Sequence, residues 1–173
     1  MTHPSKTTPE RAHQDTDPLV QLRDGEYGFY VEAKRSISQG DIVFQLDGQE
    51  VDEPHQHTIQ LSEHIHYGHA RGLWHFTQHA CEPNLRFDTT LRAMIAVRDI
   101  SLGEELNYNY NSSEWVVSVP FVCACGAMTC AEEIKGFTHL SLLERERLRP
   151  LLTTYLLSHL SGVISQDDMY DED

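Results

Sequence analysis

The sequence predicts a mainly β domain of several small sheets, closed by a C-terminal pair of helices. Three observations predict it. Short runs rich in β-branched and aromatic residues recur along the chain, and glycine-bearing breaks separate them. Beyond Phe137 the apolar residues change to helical spacing.

Residues 1–18 (MTHPSKTTPERAHQDTDP) hold three prolines and no aliphatic cluster, so this stretch reads as a mobile tail. Phe29-Tyr30-Val31, Ile42-Val43-Phe44 and the run Arg92 to Val97 are predicted strands. Asp24-Gly25, Gln39-Gly40-Asp41, Asp47-Gly48 and Leu102-Gly103 are the turns between such strands, with loops expected to carry the function. Ser141 followed by Glu144 is a capping-box pattern, which satisfies exposed backbone donors at a helix start. Leu142, Leu143, Leu148, Leu151, Leu152, Tyr155, Leu156 and Leu160 then repeat at helical spacing. Pro150 divides this stretch into two short helices and Gly162 suits its end. The pair is read as packing on the sheets, with a dimer interface as the alternative. The last residues, ending DDMYDED, form an acidic tail.

With 173 residues the chain suits one domain, and no internal repeat is visible. Its formal net charge is -14, from 27 acidic and 13 basic residues. That field repels phosphate backbones and anionic membranes over a Debye length of about 8 Å, so neither nucleic acid nor a membrane is an expected direct partner. A lysine-rich peptide would be attracted, although the acidity could serve solubility alone. No stretch approaches the roughly 20 apolar residues that span a bilayer, and residues 1–17 lack the apolar centre of a signal peptide. The expected location is the cytoplasm, or the nucleus in a eukaryote, where cysteines are better read as thiolates than as disulfides. The oligomeric state is left open.

Cys123-Ala-Cys125 and Cys130 give the spacing C-x-C-x4-C, with Gly126 allowing a tight turn. Three thiolates leave a tetrahedral structural zinc one ligand short. Cys81 is the one further cysteine, and the eleven histidines offer other candidates for the fourth position. Seven of those histidines (His55, His57, His64, His66, His69, His75 and His79) form a dense run. It could hold a second metal or respond to pH, or be a polar insert with incidental histidines.

Four motifs appear in order. Gly25-Glu-Tyr-Gly28 is followed by Ile37 and Gly40. Gln78-His79-Ala80-Cys81-Glu82-Pro83-Asn84 comes next, then Gly103-Glu-Glu-Leu-Asn-Tyr-Asn-Tyr110, then CACGAMTC from Cys123 to Cys130. Together they resemble the opening glycine motif, the N-H-S-C-x-P-N signature, the G-E-E-L-x-Y-D-Y segment and the post-SET cysteines of SET-domain protein lysine methyltransferases. The resemblance runs from about Asp24 to Phe137. It implies a SET fold of small sheets with a threaded, pseudoknot-like C-terminal segment over residues 19–120, and a post-SET zinc lobe over 121–137. A helical pair at 138–162 and an acidic tail at 163–173 follow.

The resemblance also implies one structural zinc held by Cys81, Cys123, Cys125 and Cys130. It implies S-adenosylmethionine as methyl donor and a lysine-containing protein or peptide as substrate. Tyr110 takes the catalytic tyrosine role, and Tyr108 stands at the position that limits the number of methyl groups added. Tyr27, Gly28, Gln78, His79 and Tyr110 would contact the cofactor. Such residues answer a chemical need. A lysine side chain has a pKa near ~10.4 and is a cation at neutral pH, so a narrow aromatic channel must desolvate it and free its lone pair.

The pattern has departures: Gln78 for asparagine, Ala80 for serine, Asn109 for aspartate and Glu26 for the first glycine. Glu26 puts a carboxylate near where the cofactor's own carboxylate should lie. Leu46 falls where many members have a second channel tyrosine. These departures leave two rivals, a SET-fold enzyme acting on a small-molecule amine or its cofactor, and a binding module without catalysis.

Overall fold

A computed structural model of the chain describes residues 17–26, 28–68 and 72–167, with side chains described as far as Leu160. The expected N-terminal tail up to residue 16, Tyr27, His69 and the acidic end from residue 168 lie outside the described residues.

The described strands are short. In chain order they are β1 (Val20–Gly25), β2 (Gly28–Ala33), β3 (Ile42–Gln45), β4 (Gln49–Val51), β5 (Ile59–Gln60) and β6 (His66–Gly68). They continue with β7 (Gln78–His79), β8 (Leu85–Asp88), β9 (Ala93–Ala96), β10 (Asn107–Tyr108), β11 (Phe121–Val122) and β12 (Glu133–Ile134). Among the described residues no sheet exceeds three strands. This is the mainly β architecture of small sheets that the turn spacing predicts, and all three predicted strands are present.

β1 and β2 form a hairpin in register from Val20↔Ala33 to Gly25↔Gly28. Glycine is needed at both ends of its turn. A Cβ on Gly25 would lie 2.9 Å from the Tyr30 ring, and Gly28 has φ +121, a conformation that side-chain-bearing residues rarely adopt. β9 is the middle strand of β3-β9-β8 and all its residues are buried, so the centre of the predicted run, Ala93–Ala96, is covered on both faces. Val31, Phe44, Phe87, Met94, Ile100 and Leu106 join hairpin and sheet in the main core. Leu46 belongs to this core. The Tyr67 hydroxyl donates to its carbonyl at 3.4 Å.

The helices are α1 (Leu142–Leu148) and α2 (Thr154–Asp167), joined through a 3-10 turn at Arg149–Leu151 that contains Pro150. The capping box forms as predicted, with Ser141 Oγ accepting from the Glu144 N–H and Glu144 Oε2 accepting from the Ser141 N–H. Two expectations are corrected. α2 runs through Gly162 to Asp167 instead of stopping, since a glycine inside a helix costs only about 1 kcal/mol relative to alanine. Leu142 and Leu143 are exposed, because only the later residues of the apolar pattern reach the second core. That core gathers Phe137, Leu148, Leu152, Leu156 and Leu160 against Trp115 and Tyr155.

Candidate active site and cysteine cluster

Two segments distant in sequence lie side by side at the site. β10 pairs in parallel with β7, with Asn107 opposite Gln78 and Tyr108 opposite His79. Asn84, fully buried, holds the crossing. Its Nδ2 donates to the Glu105 carbonyl at 2.8 Å and to Glu104 Oε1 at 3.0 Å, and its Oδ1 accepts from the Asn107 N–H at 2.9 Å. The Asn84 N–H in turn donates to Asn107 Oδ1 at 3.1 Å. This exchange brings the second and third sequence motifs together, and Asn84 is a structural residue that the motif reading quoted without a role.

The parallel pair forms the floor of a cleft of about 860 Å³. Its lining includes Glu26, Gly28, Gln78, His79, Tyr108 and Tyr110, with the cysteine lobe contributing Phe121 and Val122. The Tyr108 and Tyr110 rings lie 4.7 Å apart between centroids. The Tyr110 hydroxyl donates to the Thr77 carbonyl at 3.0 Å. Burial raises both phenols above their ordinary range, so each keeps its proton and remains a donor.

Gln78 Nε2 donates to the Phe29 carbonyl at 2.6 Å, tying β7 to β2. His79 Nδ1 accepts from the Tyr110 N–H at 3.1 Å, which places the ring proton on Nε2, 3.4 Å from Cys81 Sγ. Burial lowers His79 to about 4, so the imidazole is neutral. Both its nitrogens are thus engaged inside the protein. At Asn109 the amide Nδ2 donates to the Cys81 carbonyl at 3.3 Å, a bond that an aspartate could not give. Beyond Gly28 the space for a Cβ is open, which leaves the backbone at this residue bare at the edge of the cleft. Leu46 is absent from the cleft lining, so it does not form a channel wall.

The cleft also contains Glu105, which the third motif includes without a role, and three residues that the motifs do not mark: Glu114, His55 and Thr58. Glu114 lies in Asn111-Ser-Ser-Glu-Trp115, beyond the last motif, and the sequence carries no spacing signal for it.

Beside the cleft the four cysteine sulfurs lie within 4.8 Å of one another. Cys81 Sγ is 3.9 Å from both Cys123 Sγ and Cys130 Sγ. A zinc with Zn–S bonds of about 2.3 Å needs sulfur–sulfur edges near ~3.8 Å, so the quartet is compatible with one tetrahedral zinc. Backbone N–H groups of Ala131 and Glu132 donate to Cys81 and Cys130 sulfurs, each at 3.4 Å. Burial raises the Cys81 and Cys123 thiols, the latter to about 11. At Cys125 the burial effect is outweighed by hydrogen bonds from the Ala127 and Cys81 backbones, and the thiol falls to about 7. Among the described residues no other cluster brings metal-ligating atoms together. His55, His57 and His75 instead meet through edge-on ring contacts of 6.5 and 6.0 Å.

The SET-domain family model matches residues 28–111, just under half of the chain, and that stretch resembles a SET domain. Over 79 residues it is 37% identical to "Methyltransferase flvH" of Aspergillus flavus, covering 43% of this chain and 44% of that protein. Over 155 residues it is 28% identical to a histone-lysine N-methyltransferase of Chaetomium globosum described as H3 lysine-36 specific, covering 76% of this chain and 17% of that one. The chain therefore spans less than half the length of these relatives. Among solved structures it resembles KRYPTONITE in complex with mCHG DNA and SAH, with a TM-score of 0.56 and 19% identity over 68% of this chain and 29% of that one. The methyltransferase domain of human histone-lysine N-methyltransferase SETMAR gives 0.54 and 20%, over 68% and 58%. These structures share the fold.

Proposed function

We propose that this protein transfers a methyl group from S-adenosylmethionine to the amine of a protein lysine side chain. The observation that carries the reading is the aromatic pair of buried Tyr108 and half-buried Tyr110 at the floor of a cleft that also holds Gly28, Gln78 and His79. The bare backbone at Gly28 fits the cofactor's amino-acid end, and the size of the cleft leaves room for a second reactant. S-adenosylmethionine supplies an electrophilic methyl carbon on a sulfonium when bound.

The protein's own residues do the rest. Tyr108 and Tyr110 exclude water and desolvate the lysine cation, which favours the neutral amine. The two rings restrict the amine to a line of approach, since transfer requires the nitrogen close to the methyl carbon and in line with the bond that breaks. His79, fixed between the Tyr110 N–H and Cys81 Sγ, positions the backbone of the catalytic tyrosine against the cysteine lobe. The four cysteines would hold one zinc, which keeps Phe121 and Val122 in place as the outer wall.

A small-molecule amine is the second reading, favoured by polar His55, Gln56 and Thr58 in the cleft, which can bond a compact substrate. Radiolabelled methyl transfer to lysine peptides, run beside free diamines and amino acids, tests both. Label in peptides supports the first reading, and label in the free amines alone overturns it. Calorimetry with S-adenosylmethionine decides whether any enzyme reading stands, since no binding would leave a domain without catalysis.

A further inference from the structure

The cleft lining holds Glu26, Glu105 and Glu114, and neither lysine nor arginine. Of the three, Glu114 is the buried one. Its Oε1 accepts from the Gln60 N–H at 3.1 Å and from Ser113 Oγ at 3.1 Å. Oε2 makes no hydrogen bond to a described residue, and Glu114 lines the cleft. A carboxyl fixed by one oxygen and open at the other, beside two tyrosine rings, is built to receive a cation. Resting on the methyl-transfer reading, we propose that Glu114 is a catalytic residue that binds the incoming ammonium of the substrate through Oε2 and takes its proton.

Burial raises the Glu114 carboxyl to about 8, which brings it closer to an amine than an ordinary carboxylate is. The proton balance is simple. The carboxylate accepts one proton from the ammonium, leaving a neutral amine and a carboxylic acid. The amine lone pair then forms the nitrogen–carbon bond as the carbon–sulfur bond breaks, its electron pair staying on sulfur as a thioether. The product is a methylammonium carrying the charge that the sulfonium lost, and the acid returns its proton to water.

The experiment titrates n-butylammonium, the end of a lysine side chain, into the protein with and without S-adenosylhomocysteine at pH 9 and pH 6. Pentanol serves as the uncharged control. Titratable groups facing this part of the cleft are Tyr108 and Tyr110, which hold their protons, together with Glu105 and His55. The expected result is tighter binding of the cation at pH 9, where Glu114 is ionised, than at pH 6. Glu114→Gln keeps an oxygen for Gln60 and Ser113 and should bind the cation about 30-fold more weakly at pH 9, with pentanol unaffected. Equal cation affinity in both proteins, or none in the unmodified one, overturns the assignment. A carbon-13 titration of the unmodified protein adds a readout that needs no variant, since the Glu114 carboxyl signal should shift on adding the amine. Failure of S-adenosylhomocysteine to bind would strike the methyl-transfer reading instead, and the titrations without it still decide the amine site.

Discussion

The main core and the cysteine lobe reach order by different means. Around β8 and β9 the chain buries Leu85, Phe87 and Met94 almost completely, and apolar burial of a large side chain contributes about 1.5–3 kcal/mol. The lobe has much less of it. Its buried cluster is Cys81, Val117 and Ile134, while Met128 is fully exposed and Val122 is 76% exposed. What the lobe concentrates instead is sulfur. The difference teaches that the inner side of the cleft is preformed by packing, whereas the outer wall at Phe121 and Val122 is expected to depend on a metal held by the four thiols.

Removing metal should break that comparison most sharply. Structural zinc in small domains binds with an apparent free energy of about 10–16 kcal/mol, so its loss is the largest effect expected. Purified protein should carry one zinc per chain, and a chelator or any Cys→Ser change should release it. Amide exchange over residues 121–137 should then accelerate while β8 and β9 stay protected. Well under one equivalent of zinc in metal analysis would sink the assignment. So would an unchanged exchange rate in the lobe of the metal-free protein.

The next effect belongs to the inner side. Tyr110→Phe removes the hydroxyl that bonds the Thr77 carbonyl but keeps the ring against Tyr108. Turnover should fall about 100-fold or more, in the range seen when one positioned donor is lost, with S-adenosylmethionine affinity unchanged. Full activity in the variant would refute the catalytic role.

Legibility in the sequence follows the same division. Cysteine spacing and the motif order point to both the lobe and the paired tyrosines, because metal geometry and tight turns tolerate few residue types. Departures were harder to read, since their effect lies in three-dimensional partners. Asn109 looks like a weakened aspartate in the sequence, yet its Nδ2 donates to the Cys81 carbonyl. Leu46 looks like a missing wall and is a core residue. Glu114 had no signal at all, because it is made special by burial against Gln60 and Ser113 and not by its neighbours in the chain. Gly162 read as a helix stop, but local propensity yields to continued backbone hydrogen bonding through α2.

Tyr108 sharpens the comparison with a change of product and not of rate. Its hydroxyl meets the Ser113 side chain, so it occupies space at the end of the cleft nearest Glu114. The unmodified protein should yield mainly monomethyl product, and Tyr108→Phe should shift it toward dimethyl. Because Leu46 does not line the cleft, it exerts no opposing effect. Mass spectrometry of a saturated reaction reads the outcome, and abundant trimethyl product before any substitution would remove Tyr108 from that role.

The smallest effect lies farthest from the cleft, at the start of α1. Ser141 Oγ donates to Glu144 Oε2 at 2.6 Å, and the Ser141 N–H donates to the same oxygen at 2.8 Å. These bonds hold the Glu144 carboxyl below its ordinary range. A depressed carboxyl contributes stability that is present above its unfolded pKa and lost as pH falls through the folded value. Ser141→Ala should therefore destabilise by about 1 kcal/mol at neutral pH, or about 2–4 °C in Tm for a chain of this size. The gap between variant and unmodified protein should narrow as pH falls through the lowered folded value of Glu144, leaving the part due to the Ser141 Oγ bond to the Glu144 N–H. Methyl transfer should not change, since α1 packs on the second core and leaves the cleft lining untouched. A thermal scan at neutral and acidic pH tests the first two statements. A Tm gap that persists undiminished at acidic pH would show that the cap acts through the serine hydroxyl alone, without the glutamate's charge.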